Sequence, residues 1–182
     1  MDVKDDLELI RECLNGNTKA FETLVDRYQK ALFNVSLRMV NDYEDARDIT
    51  QRVLIKAYQK LGTFRQDLKF FSWIYRIAIN ESINFIKQRG YFQPLEEDII
   101  SDVQQADKHY ESIRLSMTIQ KALMELRTEY RAVIILRHFE DLSYEEIGKV
   151  LGISAKTVKS RIFIARRQLG DILLRRGQKS HG

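Results

Sequence analysis

Two small, all-α domains joined by an acidic tether are what the sequence predicts, and three observations carry that prediction. A single proline (Pro94) and eight glycines punctuate 182 residues rich in Leu, Ile, Ala, Glu, Lys, Arg and Gln, a composition that favours long helices over sheets. Apolar residues recur at helical spacing in eight stretches, four before residue 90 and four after residue 111. Between them "GYFQPLEEDIISDVQQADKHY" holds the proline, no clear period and most of the local acid. The division expected is 1–90, a tether over 91–111, and 112–182. With 44% apolar residues, the chain can bury one ordinary core or two small ones.

The first four periodic stretches run over about 5–14, 17–40, 42–61 and 71–89. Cys13, the one cysteine, falls on the apolar side of the first and reads as a buried core thiol; it has no disulfide partner and no neighbour at metal-ligand spacing. In "NDYEDARDITQRVLIKAYQKL", Ala46, Ile49, Val53, Ala57 and Leu61 form one stripe and leave Asp45, Asp48, Arg52 and Leu54 on other faces. That mixed surface suits either protein docking or a plain solvated face whose early acids favour the helix dipole. The next stretch, "TFRQDLKFFSWIYRIAINESINFIKQRG", sets Phe64, Phe70, Phe71, Trp73 and Tyr75 among Arg65, Lys69 and Arg76, with Asn80 and Asn84 one and two turns on. Aromatic rings among cations suit unstacked single strands, since every base has a π-face to stack and an edge that an amide can bond. Core packing must still claim several of these rings, and Trp73 divides evenly between the two roles.

The later stretches cover about 112–126, 128–139, 144–151 and 155–174. Within "LSYEEIGKVLGISAKTVKSRI", Ser143 and Glu146 form a capping box, so a helix starts near Tyr144. Ile147, Val150 and Leu151 supply its buried side. Gly148 leaves room for a second helix to approach, and Gly152 can take the left-handed conformation that ends the helix. Ser154 then caps a second helix with Val158, Ile162, Ala165 and Leu169 on one face. Lys156, Thr157, Lys159, Ser160, Arg161 and Arg166 remain for solvent or DNA. Such a helix fits the major groove, where Arg and Lys pair with guanine acceptors and Ser or Thr serve several base edges. A merely amphipathic basic helix would not require the small-residue turn and two caps in register.

Charge follows the same division. The net +4 hides +2 over residues 1–89, −5 over 90–112 and +7 over 113–182, so the basic excess sits with the helix-turn-helix, as a nucleic-acid footprint would. The start "MDVKDDLELI" is acidic, and no apolar run approaches the roughly 18 residues of a membrane span, so a cytoplasmic protein is expected, without membrane insertion. His109, His138 and His181 are scattered, no Cys/His set has metal spacing, and no glycine-rich phosphate loop is present, which argues against an enzyme and leaves no cofactor or metal to expect.

Three stretches in this order, "AFETLVDRYQKALFNVSLRMVNDYEDARDITQRVLIKAYQKL", "FFSWIYRIAIN" and "LSYEEIGKVLGISAKTVKSRIFIARRQL", resemble the bacterial RNA polymerase sigma factors of the extracytoplasmic-function (ECF) type over nearly the whole chain. The resemblance implies that the helix around 42–61 docks on core RNA polymerase through Asp45, Asp48, Gln51, Arg52 and Leu54. Arg47 and Arg52 stand where that family commonly has acids. It further implies that Phe64, Phe70, Phe71, Trp73, Arg76 and Asn80 open and hold the -10 element as single strand. Ser154, Lys156, Thr157, Lys159, Ser160, Arg161 and Arg166 would read the -35 element as duplex. The tether would lie in a positively charged RNA channel, and an anti-sigma factor is an expected partner. The alternative is a stand-alone helix-turn-helix regulator of duplex DNA, which would need a receiver or ligand domain that the N-terminal helices do not resemble.

Overall fold

In a computed structural model, residues 5–90 and 108–179 are described, and every regular element among them is helical. The N-terminal half holds α1 (Asp6–Leu14), α2 (Thr18–Val40), α3 (Tyr43–Lys60) and α4 (Phe70–Gln88), with a 3-10 turn at Leu61–Thr63. The C-terminal half holds α5 (Lys108–Glu125), α6 (Thr128–His138), α7 (Tyr144–Leu151) and α8 (Ala155–Lys179). The sequence bounds agree closely, except that α5 begins inside the expected tether and α8 runs several residues further. The rest of the tether lies outside the described residues, so its expected place in an RNA channel does too.

Local chemistry explains where the helices begin and end. Asp5 and Glu8 form a capping box on α1, and Asp42 accepts the free Asp45 N–H at the start of α3. Asn41 closes α2 in the left-handed region, φ 58°, and returns its N–H to Leu37 O. The first core is then a three-helix arrangement of α2, α3 and α4, closed at one end by α1. Leu24, Leu32, Val35, Met39, Ile49, Val53, Ile74 and Ile79 are sealed inside it. A second core of Leu123, Ile134, Ile135, Ile147, Val158 and Ile162 unites α5 to α8.

α3 and α4 run antiparallel, tied by three pairs along one edge: Asp45 with Arg89 (2.6 Å), Arg52 over the Phe85 ring (6.0 Å) and Lys56 with Glu81 (2.5 Å). Cys13, read as a core thiol, is only half-buried on α1, where desolvation raises its pKa.

The two halves also touch. α7 packs along α4, and the C-terminal end of α2 meets α5 and α6. No helix among the described residues is long and apolar enough to cross a membrane.

Candidate nucleic-acid and docking surfaces

The helix-turn-helix is built as its caps require. Ser143 Oγ accepts the Glu146 N–H (3.2 Å) while the Glu146 carboxylate accepts the Ser143 N–H (3.0 Å). Those bonds and Lys69 hold the Glu146 carboxyl below its usual pKa. At the other end, Gly152 adopts φ 68°, and the N–H groups of Gly152 and Ile153 both return to Gly148 O. The turn folds back so closely that a Cβ on Gly148 would lie 2.7 Å from Ile153 O. The room expected at Gly148 for a second helix is taken up chiefly by the backbone of the turn, with Ala155 N at the start of α8 next nearest. Ser154 Oγ accepts the Thr157 N–H (3.1 Å) and shares a hydrogen bond with the Thr157 hydroxyl (2.8 Å), so both hydroxyls serve the start of α8.

α8 buries Val158, Ile162, Ala165 and Ile172 and leaves Leu169 half-buried. Lys156, Lys159, Ser160 and Arg166 are exposed, and Thr157 and Arg161 are half-buried at its flank. Arg166 also donates to His138 Nε2 on α6 (3.1 Å). Two residues that the sequence reading missed complete the outward face. Phe163 is 70% exposed, and Phe163 and Arg167 stand at i+7 and i+11 from Lys156, with Ser160 at i+4. Counting outward from Lys156 rather than inward from the apolar stripe would have found them. An exposed aromatic ring is the kind of apolar side chain that contacts a thymine methyl when a helix lies in a major groove.

On α3, Asp48 and Gln51 are exposed, and Ile55, one turn on, is 58% exposed beside them. Leu54 is half-buried at the edge. Asp45 is not on the open face, because its carboxylate turns inward to Arg89 with only 10% of the side chain accessible. Desolvation and the neighbouring Asp42 raise its pKa, against the pull of Arg89. Arg52 points toward α4, with its guanidinium facing Phe85.

The aromatic group of α4 divides by burial. Phe64 and Phe70 are 8% and 2% exposed; Phe64 meets Phe70 and Trp73 edge-on, and Phe70 meets Trp73 at a tilt, at centroid distances of 5.5–5.6 Å. Tyr28 closes that cluster against Phe70. Placing Phe64 and Phe70 against DNA is thus corrected: both rings are spent on the core. Trp73 is half-buried at its rim, Phe71 is half-buried near Lys69 and Tyr75, and Asn80 is exposed. Arg76 is exposed yet donates from Nε to Val150 O on α7 (3.2 Å).

Comparison with known proteins places these surfaces in a wider group. Residues 24–91 match the family model of sigma-70 region 2, and residues 116–169 match that of sigma-70 region 4. The chain is 33% identical over 183 residues to the RNA polymerase sigma-H factor of Pseudomonas aeruginosa, covering 93% of this chain and 94% of that one. It is 33% identical over 179 residues to the ECF RNA polymerase sigma factor SigW of Bacillus subtilis, covering 90% and 96%. Among solved structures it is similar to CnrH in complex with the cytosolic domain of CnrY, with TM-score 0.73, 28% identity, and coverage of 92% and 96%. It is also similar to the sigma factor RpoE of Bartonella quintana bound to the anti-sigma factor NepR, with TM-score 0.67, 25% identity, and coverage of 85% and 97%.

Proposed function

From a chain that belongs to the sigma-70 family, in its extracytoplasmic-function branch, we infer a division of promoter recognition between the two helical domains. The protein is an RNA polymerase initiation factor that directs transcription to particular promoters, and it is not an enzyme. The N-terminal domain docks on core polymerase through the outer face of α3, where Asp48, Gln51 and Ile55 are presented. Its α4 face then holds the opened -10 strand with Phe71, Trp73, Arg76 and Asn80. α8 enters the major groove of the -35 element with Lys156, Lys159, Ser160, Phe163 and Arg167 toward the bases and phosphates. A cytoplasmic location and an anti-sigma partner complete the reading, the latter supported by the complexes in which similar factors were solved.

The observation that supports this division is the presence, on separate domains of one chain, of a capped helix with an outward basic face and of a half-buried aromatic pair, Phe71 and Trp73, beside the exposed Arg76 and Asn80. Binding supplies the energy. Phosphate contacts give salt-dependent affinity, good base contacts add about 1–3 kcal/mol each, and captured bases offset the few kcal/mol of unstacking.

The deciding experiment is open-complex formation by purified core polymerase, with and without the protein, on promoters found from transcripts that its overexpression induces. Protein-dependent opening is expected, falling about 10- to 100-fold with Asn80→Ala or Phe71→Ala, the worth of a stacked or bonded base. Tight duplex binding with no effect on core polymerase would make it a stand-alone regulator.

The outward stripe of α8 gives a separate expectation. Phe163→Ala weakens -35 binding by about 10-fold and relaxes discrimination at a single thymine, leaving the salt dependence unchanged. Arg167→Ala instead lowers the salt slope by about one and weakens all sequences alike. Fluorescence anisotropy over a salt series separates the two.

A further inference from the structure

Where α8 passes the end of α6, an arginine on its flank meets a histidine. Arg166 donates from Nε to Nε2 of His138, the last residue of α6 (3.1 Å). A guanidinium only donates, so Nε2 is the unprotonated nitrogen and the imidazole is neutral, with its proton on Nδ1. Both side chains are exposed, and among the described residues the two Nη groups of Arg166 have no acceptor. The charges that bear on the ring are both positive: Arg166 from α8, and Arg137 beside it on α6. Other groups at this end are engaged elsewhere. From α2, Arg38 covers the Phe139 ring (3.6 Å), and Glu140 accepts the Tyr75 hydroxyl (2.6 Å). Asp141 faces Arg137 (3.7 Å), and from α7 the Tyr144 ring also lies against Arg137 (5.6 Å). Desolvation, then Arg166 and Arg137, hold the imidazole below its ordinary pKa, against the pull of the α6 C-terminus toward a cation.

This cluster of cations lacks an anion, and its position says which one would come. Lys159 stands two turns before Arg166 on the same exposed flank of α8, and Arg167 on the outward face is its chain neighbour. A helix with its side chains is about 10–12 Å across and the major groove about 12 Å wide, so flank residues of a seated helix meet the phosphate wall.

We propose that His138 and Arg166 clamp one backbone phosphate of the -35 duplex between α6 and α8, and that His138 takes up a proton from solvent as the phosphate arrives. The proposal rests on the -35 reading of α8 above. In the clamp the bond between Arg166 and the imidazole opens. The Nε and Nη groups of Arg166 turn to the phosphate oxygens, and the protonated Nε2 becomes a donor to them as well. An opposite charge within about 4–6 Å moves a pKa by roughly 1–3 units toward the charged form, so the bound-state value of His138 lies above the free-state one. Binding is then tighter in acid. The gain is absent above the bound-state value, grows as pH falls through it, and is complete below the free-state value, which is itself under 6.5.

The test measures binding of the full-length protein, assembled with core polymerase, to duplex DNA carrying the -35 element of an induced promoter. His138→Gln keeps a side chain that can accept from Arg166 but cannot titrate. The ratio of wild-type to variant affinity at each pH therefore cancels every other titrating group. Between about pH 7.5 and about pH 5.5 that ratio is expected to rise about three- to tenfold, a tenfold rise being one unit of pKa change. Replacing one particular -35 phosphate by an uncharged methylphosphonate is expected to flatten the rise, and replacing the others is not. A ratio independent of pH, or a rise that no single methylphosphonate removes, would overturn the clamp. So would a ratio that falls in acid, because the neutral imidazole would then serve only to seat Arg166. Assembled polymerase that binds the duplex no better than core polymerase alone, at any of these pH values, would overturn the -35 reading itself and the clamp with it.

Discussion

Replacing Gly148 with alanine is expected to destabilise the C-terminal domain by about 1–3 kcal/mol and to abolish specific -35 binding, although alanine is the better helix former by about 1 kcal/mol. Propensity and packing oppose each other here, and packing wins. The Cβ would lie 2.7 Å from Ile153 O, which is backbone, and 3.6 Å from Ala155 N. Neither atom can yield as a flexible side chain can, so the turn between α7 and α8 must open. That opening would loosen the Ile153 N–H bond to Gly148 O (3.0 Å) and swing α8 relative to the helices beneath it. Gly170→Ala provides the control, because that glycine lies inside α8 and its added Cβ meets nothing within 4 Å. It should be neutral or stabilising by up to about 1 kcal/mol, with -35 binding intact. Denaturant unfolding and duplex binding of the two variants measure the contrast; equal effects would mean that the turn tolerates displacement.

That contrast also marks what sequence reasoning reaches. Periodicity located the eight α-helices of the described residues, and the caps at Ser143, Gly152 and Ser154 are legible because each is a local bargain between one side chain or one φ angle and its immediate neighbours. The aromatic segment was harder. Phe64, Phe70, Phe71 and Trp73 have similar chemistry, and it takes their packing partners, Tyr28 on another helix against Phe70 among them, to show that Phe64 and Phe70 belong to a core cluster while Phe71 stays near the surface. Asp45 misled for a similar reason. Its partner Arg89 is 44 residues away, and a long-range pair turned a residue on a polar-looking face inward. Packing of α7 on α4 lay further still beyond a one-dimensional reading. It depends on which faces two separate domains present to each other, and no spacing rule encodes that.

Arg131 is where removal of one side chain should cost most, at about 3–5 kcal/mol for Arg131→Ala, the scale of breaking a buried charged network. The residue is 5% exposed, and its guanidinium donates to Leu123 O (3.0 Å), Met124 O (2.9 Å), Leu126 O (3.2 Å) and Met39 O. Three of those carbonyls belong to the end of α5 and the turn after it, which precedes α6, so one planar cation satisfies acceptors that a helix end leaves open. Burial lowers its pKa to about 10, yet it remains charged at neutral pH. Because the folded-state value is depressed, any stability linked to its titration would appear only as pH rises through about 10 toward the unfolded value. The loss on mutation should therefore be flat between about pH 6 and 8. Arg131→Lys sharpens the argument. It keeps the charge but offers a compact ammonium with three donors, which cannot span the four acceptors of the planar fork, and about half of the alanine loss is expected. Unfolding by urea at two pH values tests both points. A lysine variant as stable as the wild type would show that charge alone, without the guanidinium geometry, holds the end of α5 against α6.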